Sequence, residues 1–217
     1  MAATAVCISR TDGSVGELVG IDVAAELGYR YVDREVVTRA AEKAQVDHAA
    51  VEDAERRKSF VRRLLEGLAS PASLPDVVSG VESPFSPSPG AASADSWDIR
   101  DVIRSVIGDI AAEGRVVIVS HAASMALARA PNVLRVLVTA SPGVRANRIS
   151  RGGKWLEPAA AAAAIRDADR NRQDYFRRFY DIDREDATHY DLVVSTDVLT
   201  PNQAAAIVCS AARIAGA

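Results

Sequence analysis

Apolar positions along the chain alternate between two rhythms. Short unbroken runs end at Ser9, at Val32, at Ser120, at Val138 and at Ser195, and each is the length of a strand buried on both faces. Between them, apolar residues recur at helical spacing. Leu18, Val19, Val23 and Leu27 form the first such set, and Val36, Val37 and Ala40 the second. Further helices are expected from Val46 to Ala69, from Trp97 to Ala111, from Pro142, from Glu157 to Tyr180 and from Pro201 to Ile214. Strands separated by helices, without hairpin signals, predict an α/β fold of three layers around a central parallel sheet of about five strands.

The punctuation agrees with that plan. Gly28 is placed to end the first helix in a left-handed residue, Ser141-Pro142 to open another as N-cap and N1, and Gly114 to stop the helix before it. Residues 70–96 break the pattern, with Pro71, Pro75, Pro84, Pro87 and Pro89 set among Ser, Gly and Ala. That composition builds no core and reads as a flexible insertion in a single domain spanning 1–217.

Chemistry enters at the first strand-to-helix turn. Gly13 and Gly16 in Arg10-Thr11-Asp12-Gly13-Ser14-Val15-Gly16 can turn successive amides toward one point at a helix amino end, where an anion is favoured. The full phosphate-loop pattern also asks for Gly-Lys-Ser/Thr. Here Glu17 follows Gly16, and the lysines, Lys43, Lys58 and Lys154, are remote, so a plain strand-turn-helix connection stands beside the phosphate cradle as a reading.

Asp33, at a strand's carboxyl end, is either a ligand residue or the N-cap of the next helix. Arg145, Arg148 and Arg151 recur every third residue, and with Arg170, Arg172, Arg177 and Arg178 they form either a clamp for polyphosphate or a solvated face. Asp169 and Arg172, three apart on one helix face, either reach one ligand together or form a helix-surface ion pair; under the first reading Arg172→Ala weakens binding and leaves thermal stability nearly unchanged, and under the second binding is untouched and any effect is a small loss of stability. His121 stands just past a strand's end, whereas His48 and His189 read as surface residues.

Composition narrows the classes. A hydrophobic share of 48% with 5% aromatic points to Ala, Val, Leu and Ile packing helices on a sheet, and a net charge of −3 argues against a general nucleic-acid binder. The two cysteines, Cys7 and Cys209, fall in apolar segments and read as buried thiols, and no His/Cys spacing suggests a metal site. No run of 18 apolar residues exists and the start has no basic flank, so a soluble cytoplasmic protein without membrane contact is expected; the oligomeric state is left open.

These pieces also carry a resemblance. Ile8-Ser9-Arg10 with Gly13-Ser14 and Gly16, Leu27-Gly28-Tyr29 with Tyr31, and Asp33-Arg34-Glu35 are followed by Val117-Ile118-Val119 and Pro131-Asn132-Val133-Leu134. Asp169-Arg170-Asn171-Arg172 with Tyr175, then Tyr190-Asp191-Leu192-Val193, complete the order. The chain thus resembles the cytidylate kinase-like family of the nucleoside monophosphate kinases over nearly its whole length outside the Pro/Ser stretch. The resemblance implies a P-loop kinase fold, ATP and Mg²⁺ as the donor system, and CMP, dCMP or a related nucleoside monophosphate as acceptor.

By that resemblance Ser9, Arg10, Gly13, Ser14 and Gly16 hold the donor phosphates, and Asp33, Arg39, His121, Asp169 and Arg172 bind the acceptor. Arg148, Arg151 and Arg170 are the expected catalytic cations, in or beside a lid-like arginine-rich region at 151–180. The chain departs from the family pattern where relatives have Gly-Ser-Gly-Gly-Arg and it has Gly13-Ser14-Val15-Gly16-Glu17, and where they have Gly-Arg-Gly and it has Ser120-His121-Ala122. The alternative is therefore a nucleotide-binding or regulatory protein that keeps the fold and has lost the transfer step.

Overall fold

The structure is a computed structural model, and it describes residues 3–44, 96–119, 122–151 and 157–215. The helix expected at 46–69, the insertion apart from Ser96, and both Ser120 and His121 lie outside the described residues.

β1 (Ala5–Arg10) is the middle strand, with five buried residues in succession before Arg10. It pairs in parallel with β3 (Val116–Val119) on one side and β4 (Val133–Thr139) on the other, Cys7 lying opposite both Ile118 and Arg135. β2 (Arg30–Val32) continues the sheet beyond β3 and β5 (Leu192–Ser195) beyond β4, giving the order 2-3-1-4-5 with every neighbour parallel. The expected five-stranded parallel sheet is the one observed.

Alternation along β1 divides the core. Val6 and Ile8 pack with Val19 and Val23 of α1 (Gly16–Leu27) and with Ala205, Val208 and Cys209 of α7 (Pro201–Ile214). Ala5 and Cys7 face the other way, onto α2 (Glu35–Ala44) and α3 (Ser96–Glu113) through Val36, Ile103, Ile107 and Ile110. Gly20 lets α1 lie on the sheet, because a methyl group there would stand 2.6 Å from Val119 Cγ2. Gly28 closes α1 at φ 65°, as its place in the chain predicts, and Thr200 with Gln203 forms a capping box before α7.

A short α4 (Ala123–Ala126) follows β3, and α5 (Pro142–Arg151) and the long α6 (Pro158–Tyr180) follow β4. The chain leaves β1 for β2 at one edge and leaves β4 for β5 at the other, so the carboxyl ends of adjacent β1 and β4 open between connections that run in opposite directions. In open parallel sheets such a crevice is where ligands sit.

Candidate functional site

At that crevice stands the loop from Thr11 to Val15. Gly13 has φ 80° and Val15, the residue before α1, has φ 58°, so the loop makes the left-handed turns its glycines predict but places one of them on a β-branched residue. The Ser14 amide bonds to the Thr11 carbonyl (3.1 Å), and the Thr11 amide to that of Val138 (3.2 Å). Gly16 is a glycine for packing, since a Cβ there would lie 2.6 Å from Arg10 Cβ and 3.2 Å from Val138 Cβ.

Three arginines grip the loop from outside. Arg172 of α6 donates to the Arg10 carbonyl (3.0 Å), Arg145 of α5 to that of Asp12 (3.3 Å), and Arg148 to that of Gly13 (3.3 Å). Each is itself fixed. Arg145, only 4% exposed, makes a two-pronged pair with Asp169 at 2.8 and 2.7 Å. Arg148 donates to both the hydroxyl and the carbonyl of Thr196, whose hydroxyl also reaches the Ser14 carbonyl (2.8 Å). Arg172 pairs with Glu185 through two bonds of 2.7 Å and lies over the Phe176 ring at 4.7 Å.

Tyr190 completes this network by donating its hydroxyl to Glu185. Burial opposes the Glu185 charge, but the bonds from Arg172 and Tyr190 outweigh it and hold the carboxyl below its ordinary value. Burial likewise pushes the Tyr190 phenol up, so it stays a donor.

What remains for a ligand is anionic in preference. No side chain caps the amino end of α1, and the Ser14 hydroxyl is fully buried with no hydrogen-bond partner among the described residues. Both are donors that a phosphate oxygen would satisfy. Glu17, in the first turn of α1, is half exposed, with its carboxylate 3.9 Å from the Arg10 guanidinium, which also lies 3.5 Å from Asp12. Its charge is therefore met by a cation of the same loop. Next to the loop a cavity of about 300 Å³ is lined by Thr11, Arg145, Asp169, Arg172, Arg184 and Glu185.

The expected site residues divide accordingly. Asp169 and Arg172 do line one cavity, each with its own partner. Arg10, Gly13, Ser14, Gly16 and Arg148 gather at the loop. Ser9 lies beneath it, buried, with its hydroxyl on Ser124 (3.3 Å). Asp33 follows β2, and its carboxylate is among the charges that raise the phenol of Tyr31 to about 12, after burial itself. Arg39 is spent elsewhere, in ion pairs with Glu35 and with Glu113 at the end of α3. Arg170 is exposed and paired with Asp167, and Arg151 is exposed at the end of α5. Glu185 and Thr196 went unnoticed in the sequence. Thr196 follows the last strand directly, a position that the rule of ligands at strand carboxyl ends could have flagged; Glu185 carries no local signal.

A family model described as the cytidylate kinase-like family matches residues 5–198. No protein of curated function matches the chain by sequence. Among solved structures, an uncharacterized protein from Eubacterium ventriosum ATCC 27560 aligns with a TM-score of 0.60 at 16% identity, covering 95% of this chain and 96% of that one. At that identity the likeness concerns the fold alone. Shikimate kinase from Bacteroides thetaiotaomicron aligns at a TM-score of 0.49 with 12% identity, over 95% and 96% of the two chains.

Proposed function

The chain belongs to the cytidylate kinase-like family, and on that premise we propose that it binds a nucleotide and transfers the γ-phosphate of ATP to CMP, dCMP or a related nucleoside monophosphate. The observation that carries the reading is the β1–α1 loop itself, with its uncapped helix end and its buried, unpartnered Ser14 hydroxyl in the crevice between β1 and β4. ATP with Mg²⁺ would supply the phosphoryl group and the divalent charge that balances it; Asp12 within the loop and Glu17 in the first turn of α1 are carboxylates of that segment.

The chain's own part is positioning. By drawing the Asp12 carbonyl outward, Arg145 turns the Gly13 amide that follows it the other way, because C=O and N–H are antiparallel across a trans peptide, while Arg172 and Arg148 anchor the carbonyls of Arg10 and Gly13, whose following amides are bonded to Val138 and Thr11. A loop held at three points costs little to organise when phosphate arrives. Asp169 and Arg172 would face the acceptor from the neighbouring cavity. A coupled assay of ADP release across the common nucleoside monophosphates tests this: acceptor-dependent ADP supports it, and none above background with any acceptor excludes it.

One observation favours a binding protein without turnover. The three arginines at the loop are already bonded to protein carbonyls and, for two of them, to carboxylates, which leaves little cationic capacity for a transferring phosphoryl group. Calorimetric heat from ATP or CMP with a flat kinase assay would select that reading.

A further inference from the structure

A second and larger cavity, of about 510 Å³, lies between α3, α4, the start of β4 and the end of α6. Its volume is in the range of small-molecule sites, roughly 300–1,000 Å³. Arg104, Arg129, Arg135 and His189 line it, and among the described residues no carboxylate does. Met125, Tyr180 and Ile182 supply an apolar wall.

The cations are differently committed. Arg104 lies over the Tyr180 ring at 5.0 Å, and neither it nor the exposed Arg129 has a hydrogen bond or ion pair among the described residues. Arg135 is held by Asp191 through Nε (3.0 Å) and Nη2 (2.6 Å), which leaves Nη1 unspent. His189 Nδ1 accepts from the Asp186 amide (3.1 Å), so the neutral ring keeps its proton on Nε2 and is a donor there. Two guanidinium charges are thus unmet, matching the charge of about −1.5 to −2 on a phosphate monoester at neutral pH.

We propose that this cavity is a binding site for a phosphate monoester that carries a flat ring. The phosphate sits on Arg104, Arg129 and the free Nη1 of Arg135, with the ring against Met125 and Ile182. This site is separate from the β1–α1 loop. Tyr180 is eight residues beyond Arg172 on α6, about 12 Å at 1.5 Å per residue. It nevertheless shares a support with the loop, because the segment that brings Ile182 and His189 here also brings Glu185 and Tyr190 to Arg172. The inference stands whether or not the loop binds a nucleotide.

The test is calorimetric titration of the full chain with phenyl phosphate and, separately, with inorganic phosphate. Phenyl phosphate is expected to bind saturably and more tightly than phosphate. The Arg104→Ala/Arg129→Ala double variant, which removes two charge-assisted donors from exposed positions, is expected to bind it at least about tenfold more weakly. Arg213→Ala, which removes an arginine of α7 that pairs with Glu26, should bind it like the unaltered chain. No saturable binding of phenyl phosphate, or equal affinity in the double variant, overturns the proposal.

Discussion

Val15 shows what single residues contribute to the loop. Where relatives of the family have glycine, the chain has Val15 and Ala122, yet both keep a left-handed backbone, at φ 58° and 49°. Both positions therefore hold a side chain in a conformation that glycine adopts without strain. Left-handed geometry costs an L-residue about 1–2 kcal/mol, most for a β-branched one, against about 0.5–1 kcal/mol of extra chain entropy lost by glycine. Val15→Gly should therefore raise stability by up to about 1 kcal/mol in a urea titration, and a lower midpoint would contradict the strain. Glu17 has a similar lesson. Its letter reads as an anion beside a phosphate loop; its position, beside Arg10 and open to water, makes it half of a salt bridge.

Among the elements, α6 was legible from its apolar spacing, but its partners were not. Arg145 finds Asp169 across 24 residues and Arg172 finds Glu185 across 13, distances over which periodicity carries no information. The expectation that Arg172→Ala would spare stability is corrected by this pairing. Losing Arg172 strands the Glu185 carboxylate, only 19% exposed, and frees the Arg10 carbonyl, so a loss of about 2–4 kcal/mol is expected in thermal or chemical unfolding. The pH dependence has a definite sign. Because Glu185 is held below its ordinary value of 4.5, its contribution is whole above that value and is lost as pH falls through the lowered one. Glu185→Gln should be less stable than the unaltered chain near pH 7, with the gap closing as pH falls below 4.5; a constant gap would remove Glu185 from the acid limb. The packing of α1 offers a further check. Helix propensity alone favours Gly20→Ala by about 1 kcal/mol, whereas overlap with Val119 predicts a net loss of about 1–3 kcal/mol in the same titration.

At the scale of the whole molecule, strands, helices and their parallel order could be read from the chain, because a sheet covered on both faces demands unbroken apolar runs and its helices demand a period of 3.6. Of the candidate site, the turn at Gly13 to Gly16 could be read from the chain because backbone geometry makes it, whereas the pairings of Arg145, Thr196 and Glu185 could not, because tertiary contacts make them. The two thiols test how far the molecule behaves as one unit. Cys7 lies on one side of the sheet against α2 and α3, and Cys209 on the other against α1, both fully buried. Burial pushes Cys7 up to about 12 and Cys209 to about 11, so neither holds a useful fraction of thiolate at neutral pH while folded. Alkylation must then wait for opening. If both faces open only when the sheet itself does, iodoacetamide should label Cys7 and Cys209 at one common rate, and low urea should speed both by the same factor. Should α7 peel from the sheet independently, Cys209 would label faster, and with the weaker urea dependence of a smaller exposed surface. The close fit of α1 between α7 and β3, fixed by Gly20 and by Val19 and Val23, argues for the common rate. Mass spectrometry of the two cysteine peptides over time decides between them.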